Sequence, residues 1–209
     1  MKFQTFRGVV LIIGSICYFI TNGIFTPLLP TDIPWTEVFA SNIFLARLSL
    51  ASLSVFLLLI GAIGLHRHQS ESSGSFGSFA FGLLFTGSIL VFAHEWGQVF
   101  FLHELAKVAP EGLEALENRD GFNLYDIEVF PGLVGFMLGW ILLAVSMLKT
   151  KKFSYPGPTL ILIGLFAAPI LGAALPFPWG FVVGNLILAS GWLILGLELV
   201  KSAKIRKHS

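Results

Sequence analysis

Apolar residues along this chain come in long unbroken runs, and polar residues cluster in the gaps between them. Six runs stand out, at Gly8–Pro30, Ala40–Leu65, Phe76–Leu102, Val129–Leu148, Phe153–Pro176 and Phe177–Leu197. A helix needs about 20 apolar residues to cross the ~30 Å hydrocarbon layer of a bilayer, and each run meets that length. None shows the two-residue alternation of a membrane β-barrel, so helices are the predicted elements. The last two runs are separated only by "LPFPWG", where Pro176 and Pro178 stop a helix and force a tight turn. The expected fold is therefore all-α, a polytopic integral membrane protein of six transmembrane helices forming a single domain over residues 1–209.

Composition agrees with that pattern. Of the 209 residues, 55% are hydrophobic and 12% charged, against about a quarter charged in a soluble domain; the mean hydropathy is +0.83. Net charge is +1, which removes the bulk electrostatic case for a nucleic-acid partner. Membrane lipid is the expected partner instead. The single cysteine, Cys17, lies within the first run. It excludes an intramolecular disulfide and any cysteine-based zinc or iron–sulfur site, and reads as a buried thiol. The first run is longer than a signal-peptide core and no small-x-small cleavage pattern follows it, so it is expected to stay in place as a span.

Charge matters here by location. With the N-terminus inside, the inner segments carry Lys2, Arg7, Arg67, Lys149, Lys151, Lys152, Lys201, Lys204, Arg206 and Lys207. Only Arg47, Lys107 and Arg119 remain for the other side. The excess of Lys and Arg in short cytoplasmic loops predicts both termini in the cytoplasm, and a bacterial cytoplasmic membrane as the location. The inner segment "HRHQSESSGSFGS" (66–78) reads as a flexible connector, and the tail "KSAKIRKHS" as a contact for anionic lipid. Residues 103–128 form the expected outer loop. There Leu105, Val108, Leu113 and Leu116 recur at near-helical spacing opposite Glu111, Glu114 and Glu117. A short amphipathic helix interrupted near Pro110 follows, either as an interfacial connector or as a lid.

Two further patterns concern packing. "GFMLG" (135–139) and "GFVVG" (180–184) are small-xxx-small motifs, expected to bring helices together within the chain and leaving room for a homo-oligomer. "LIIG", "PW" and "NIFLA" in the first hairpin echo "LILIG", "PW" and "NLILA" in the last, as a duplicated hairpin would. However, Asn42 lies 25 residues before Arg67, and Asn185 only 16 before Lys201. The two asparagines would then sit at different depths.

Candidate chemistry concentrates in "VFAHEWGQVFFLHE" (91–104). "HEWGQ" resembles the helical H-E-x-x-H zinc motif, but its fifth residue is Gln98, and an amide is a poor zinc ligand. His103 cannot replace it, because nine residues turn a helix by about 900° and advance it about 13 Å. Haem needs two histidines at one depth on facing helices, and His66, His68 and His208 fall on the inner side. No metal and no cofactor are expected. Depth gives a better reading. Arg47 sits one span-length from the inner side, since Leu48–Leu65 supplies 18 residues, and Glu95 lies 19 residues along from Phe76. Glu128 reaches the same level counted back from Lys149. An arginine and a carboxylate at this depth are best tolerated as a hydrogen-bonded pair. Arg47, His94, Glu95, Gln98 and Glu128, with Asn22 as a floor, are therefore the expected ligand-binding residues of an outward-facing polar pocket. The function expected is binding of a lipophilic or amphipathic ligand. The alternative is an integral membrane enzyme acting on lipid at the outer leaflet with His94 and Glu95 as acid–base groups. No G-x-S-x-G or S-x-x-K motif supplies a nucleophile beside His94, so a catalytic assignment is not made.

Overall fold

The computed structural model describes residues 2–30, 32–117 and 124–205, with side chains for all of these except 2, 116, 117, 124–128, 204 and 205. Among them every regular element is helical. α1 (Lys2–Ile20) runs into a π-helical turn, Thr21–Phe25; then come α2 (Trp35–Ala40), α3 (Asn42–Val108), α4 (Pro110–Glu117), α5 (Leu124–Thr150), α6 (Pro156–Ala174) and α7 (Trp179–Ile205). Among the described residues five helices are long and apolar enough to cross a membrane: α1 with its π-turn, α3, α5, α6 and α7.

The 67 residues of α3 would reach about 100 Å if straight, three times the hydrocarbon thickness. They do not run straight. Gly74 has φ 57° and ψ −152°, a conformation open essentially only to glycine, and there the helix folds back on itself. His66 stacks on Phe81 at 4.4 Å, and Phe56 meets Phe92 at 5.6 Å. α3 is thus two antiparallel arms, 42–73 and 75–108. The expected flexible connector is helical on both sides of this one residue. Its serines support the turns by bonding back, Ser70 Oγ to the Arg67 carbonyl and Ser78 Oγ to that of Gly74, each at 3.2 Å. Ser41 starts the first arm, its Oγ accepting from the Phe44 N–H at 3.2 Å as an N-cap.

Glycines let the helices touch backbone to backbone. A Cβ on Gly61 would come within 2.6 Å of Leu11, joining the first arm of α3 to α1, and one on Gly164 within 2.5 Å of the Leu188 amide, joining α6 to α7. The "GFMLG" glycines, Gly135 and Gly139, pack on Gly87 and Leu84 of the second arm; those of "GFVVG" pack on Leu171 and Ala168 of α6. Both motifs are used within the chain. Between the helices lies a core of Leu11, Leu58, Leu84, Leu143, Met147 and Ile161, centred on Trp140 and Trp192, whose rings are 5.2 Å apart. The outer surface is apolar as well: Phe3, Phe79, Phe101 and Ile170 are all more than 60% exposed, as expected where lipid is the solvent.

The helices meet at two unlike ends. At one, Gln4 bonds His68 Nδ1 at 2.9 Å and donates to Ser202 Oγ at 3.3 Å. The start of α1, the Gly74 turn and the end of α7 are thereby gathered on one side, where Lys149 also lies over the Phe76 ring at 4.9 Å. Glu198 is engaged here too. It accepts the Ser154 N–H at 2.9 Å and the Ser154 hydroxyl, holding the entry to α6. At the opposite end, α2 and α4 cover the mouth of the bundle. The second arm ends at Val108, Ala109 breaks the helix, and α4 buries Leu113 while exposing Glu111 and Glu114, close to the expected amphipathic helix. The repeat pattern does not extend to its asparagines: Asn42 is exposed at the start of α3, whereas Asn185 lies inside α7 and makes interhelical bonds.

Candidate functional site

The π-turn at Thr21–Phe25 organises the polar chemistry of this second end. A π-turn spaces its bonds i→i+5 and often marks a functional position in a helix. Here the Thr26 N–H and the Thr26 hydroxyl both donate to the Thr21 carbonyl, each at 3.0 Å. Tyr18, Asn22 and Thr26 follow at four-residue intervals and point inward as a polar stripe. The Tyr18 hydroxyl donates to Asn185 Oδ1 of α7 at 2.8 Å. Asn185 Nδ2 returns a bond to Asn22 Oδ1 at 3.3 Å, and Asn22 Nδ2 donates to the Tyr18 carbonyl at 3.0 Å. Each amide is held at both ends, so α1 and α7 are locked through a closed polar ring. Trp192 seals it from below, meeting the Tyr18 ring edge-on at 4.9 Å.

Arg47 reaches the same stripe from the first arm of α3. Its Nε donates to Thr26 Oγ1 at 3.0 Å. Glu95, on the second arm, lies near enough for the Arg47 charge to act on it, and the charges of both act on Tyr18. The expected direct pair is not formed, since no Arg47 nitrogen comes within 4.0 Å of a Glu95 oxygen. The reason is geometric: Thr26, brought round by the π-turn, stands where Arg47 Nε bonds. Among the described residues the other guanidinium nitrogens of Arg47 have no hydrogen-bond partner. Glu95 Oε2 is shut off from solvent and is likewise unpartnered.

His94 and Gln98 stand one helical turn apart, and their Nε2 atoms are hydrogen-bonded to each other. His94 is buried, at 7% exposure, and Gln98 partly so. Glu128 belongs to the first turns of α5, but its side chain lies outside the described residues. Of the expected residues, then, Arg47 and Glu95 lie near one another, Asn22 joins Tyr18 and Asn185 in the neighbouring ring, and His94 bonds Gln98. No three His, Cys, Asp or Glu side chains among the described residues gather as a metal site would require.

Tyr18, Thr26 and Asn185 were not expected from the sequence. Their only signal is the four-residue spacing of Tyr18, Asn22 and Thr26 in the first apolar run, with Asn185 the one amide of the last. His103 also differs from expectation. It is 3% exposed, and its Nδ1 bonds the Phe39 carbonyl at 2.9 Å, fastening α2 to the second arm. Beside it Leu29, Val38, Phe44 and Leu48 form a small separate core.

Chemically, the cluster offers a buried carboxylate oxygen as acceptor and guanidinium N–H groups as donors a short distance apart. Comparison with family models, with curated proteins and with solved structures found no match.

Proposed function

We propose that this chain is a six-span membrane protein with both termini in the cytoplasm. In this reading its outward-facing polar cluster binds an amphipathic molecule whose head group carries both a hydrogen-bond donor and an acceptor. Counting the arms of α3 separately supports six crossings, and the lysines and arginines at the end opposite the cluster support the orientation.

The observation that carries the binding reading is Glu95 Oε2, buried and unpartnered, facing a cluster in which Arg47 also has nitrogens to spare. An ionisable group at membrane depth is costly unless something satisfies it, and a bound hydroxyl, amide or ammonium would do so while Arg47 takes the acceptor. The enzymatic alternative gains less support, because Nε2 of His94, its natural acid–base atom, is already bonded to Gln98.

The test is to purify the full chain in detergent, extract it with organic solvent and identify what co-purifies by mass spectrometry. One amphipathic species should be enriched over bulk membrane lipid, and its occupancy should fall roughly tenfold in Glu95→Gln, the loss of one charged hydrogen bond. Equal occupancy in the variant, or no enriched species in the folded wild type, would overturn the reading.

A further inference from the structure

The opposite, basic end of the bundle holds a cavity of about 370 Å³ between the start of α1 and the end of the first arm of α3. Arg7 and Arg67 both line it, close enough for their charges to repel. Neither forms an ion pair among the described residues. Gly64 makes the arrangement possible, since a Cβ there would press within 2.8 Å of Arg7 Cβ. Arg7 is further steadied over the Phe3 ring at 4.5 Å. Gln4 and His68 add polar groups to the wall, pinned to each other at 2.9 Å. Among the described residues the one carboxylate of the lining is Glu71, which is exposed and bonds neither arginine.

Two guanidinium groups turned toward one small polar cavity repel each other unless an anion lies between them. Their planar N–H forks match phosphate oxygens in pairs. The rim adds a second clue. Phe3 is 63% exposed and heads a stripe of exposed apolar residues along α1, continued by Phe6, Val9, Ile13, Ile16 and Phe19. A polar anion pocket that opens onto an apolar track fits a molecule with a phosphate head and long hydrocarbon chains.

We propose that the Arg7–Arg67 cavity binds a phosphate group, carried by an anionic phospholipid whose acyl chains lie along the exposed face of α1. Charge-assisted bonds from the two arginines hold the phosphodiester. This site is separate from the Glu95 cluster and stands or falls without it.

The test uses the full chain in detergent, with native mass spectrometry counting bound phosphatidylglycerol against phosphatidylcholine of the same acyl chains. Wild type should retain phosphatidylglycerol selectively, and Arg7→Gln with Arg67→Gln should lose roughly tenfold or more of that binding. The charge-matched control Lys152→Gln with Lys201→Gln, both exposed and outside the cavity, should bind like wild type. If the double arginine variant does not fold, Arg67→Gln alone, at an exposed position, gives the reading. Equal loss in the lysine control would mean bulk surface charge and would overturn the site, as would unchanged binding in the arginine variants. Displacement of the lipid by millimolar inorganic phosphate would overturn the lipid as the source and leave free phosphate as the ligand.

Discussion

Arg47 Nε donates to Thr26 Oγ1 across 3.0 Å, and through that hydroxyl the first arm of α3 is fastened to the π-turn that ends α1. The same hydroxyl donates to the Thr21 carbonyl, so one side chain both closes the π-turn and receives the arginine. Thr26→Val keeps the shape and removes both bonds. It should lower stability by about 1–2 kcal/mol, the upper range for a polar contact inside a membrane bundle, and Thr26→Ser should restore most of the loss. Thermal unfolding in detergent followed by circular dichroism reads both; a valine variant as stable as wild type would mean the bond contributes nothing.

Arg47 and Glu95 interact through space without touching, which gives their substitutions opposite signs. Glu95→Gln removes a buried charge whose Oε2 has no partner, so the unliganded protein should become no less stable, a common exchange at binding sites. Arg47→Met should destabilise, and by about 1 kcal/mol less when residue 95 is already Gln, because the favourable charge has gone. A double-mutant cycle measures that difference. Strict additivity would show that the two charges do not feel each other.

Close packing of α5 on the second arm of α3 depends on Gly87, where a Cβ would run into the backbone at Gly135 and Phe136. Backbone cannot step aside as a side chain can, so Gly87→Ala should cost about 1–3 kcal/mol or prevent folding. Gly82, on the same arm, has nothing within 4 Å of its would-be Cβ. There alanine should add about 0.5–1 kcal/mol through helix propensity alone. Thermal melts of the pair form an internal control, and equal effects at the two positions would contradict the packing described.

What could be read from the chain and what could not divide along physical lines. The long helices were legible because length and apolarity are summed over about twenty residues, and the α6–α7 turn because proline acts locally. Convergence of Arg47 and Glu95 followed from counting depth. Their partners did not follow, because depth places a residue on an axis and says nothing of rotation about it. Thr26 comes to Arg47 only through the extra residue of a π-turn, which no periodicity announces. Tyr18 and Asn185 meet because α1 packs on α7, a choice made by Gly8 and Gly196 at close approach. The 66–78 segment misled for a different reason. Its serines and glycines are typical of a linker in water, yet between two long helices those serines bond back to the helix and the backbone continues.

Gly74 is then the one residue on which the α3 hairpin turns, and its role is conformational, since nothing lies within 4 Å of a Cβ placed there. With φ at 57° and ψ at −152°, any side chain strains its own backbone, at a cost of order 1–3 kcal/mol. Gly74→Ala should lower stability by about that amount without disturbing a single packing contact. Asparagine should not rescue it, because the left-handed helical region that asparagine tolerates lies at positive ψ. Insertion of one further glycine after Gly74 should be milder, since it relieves the turn while the arms keep their register through His66 on Phe81 and Phe56 on Phe92. Thermal stability in detergent ranks the three variants, and an alanine variant as stable as wild type would show that the turn does not require this conformation.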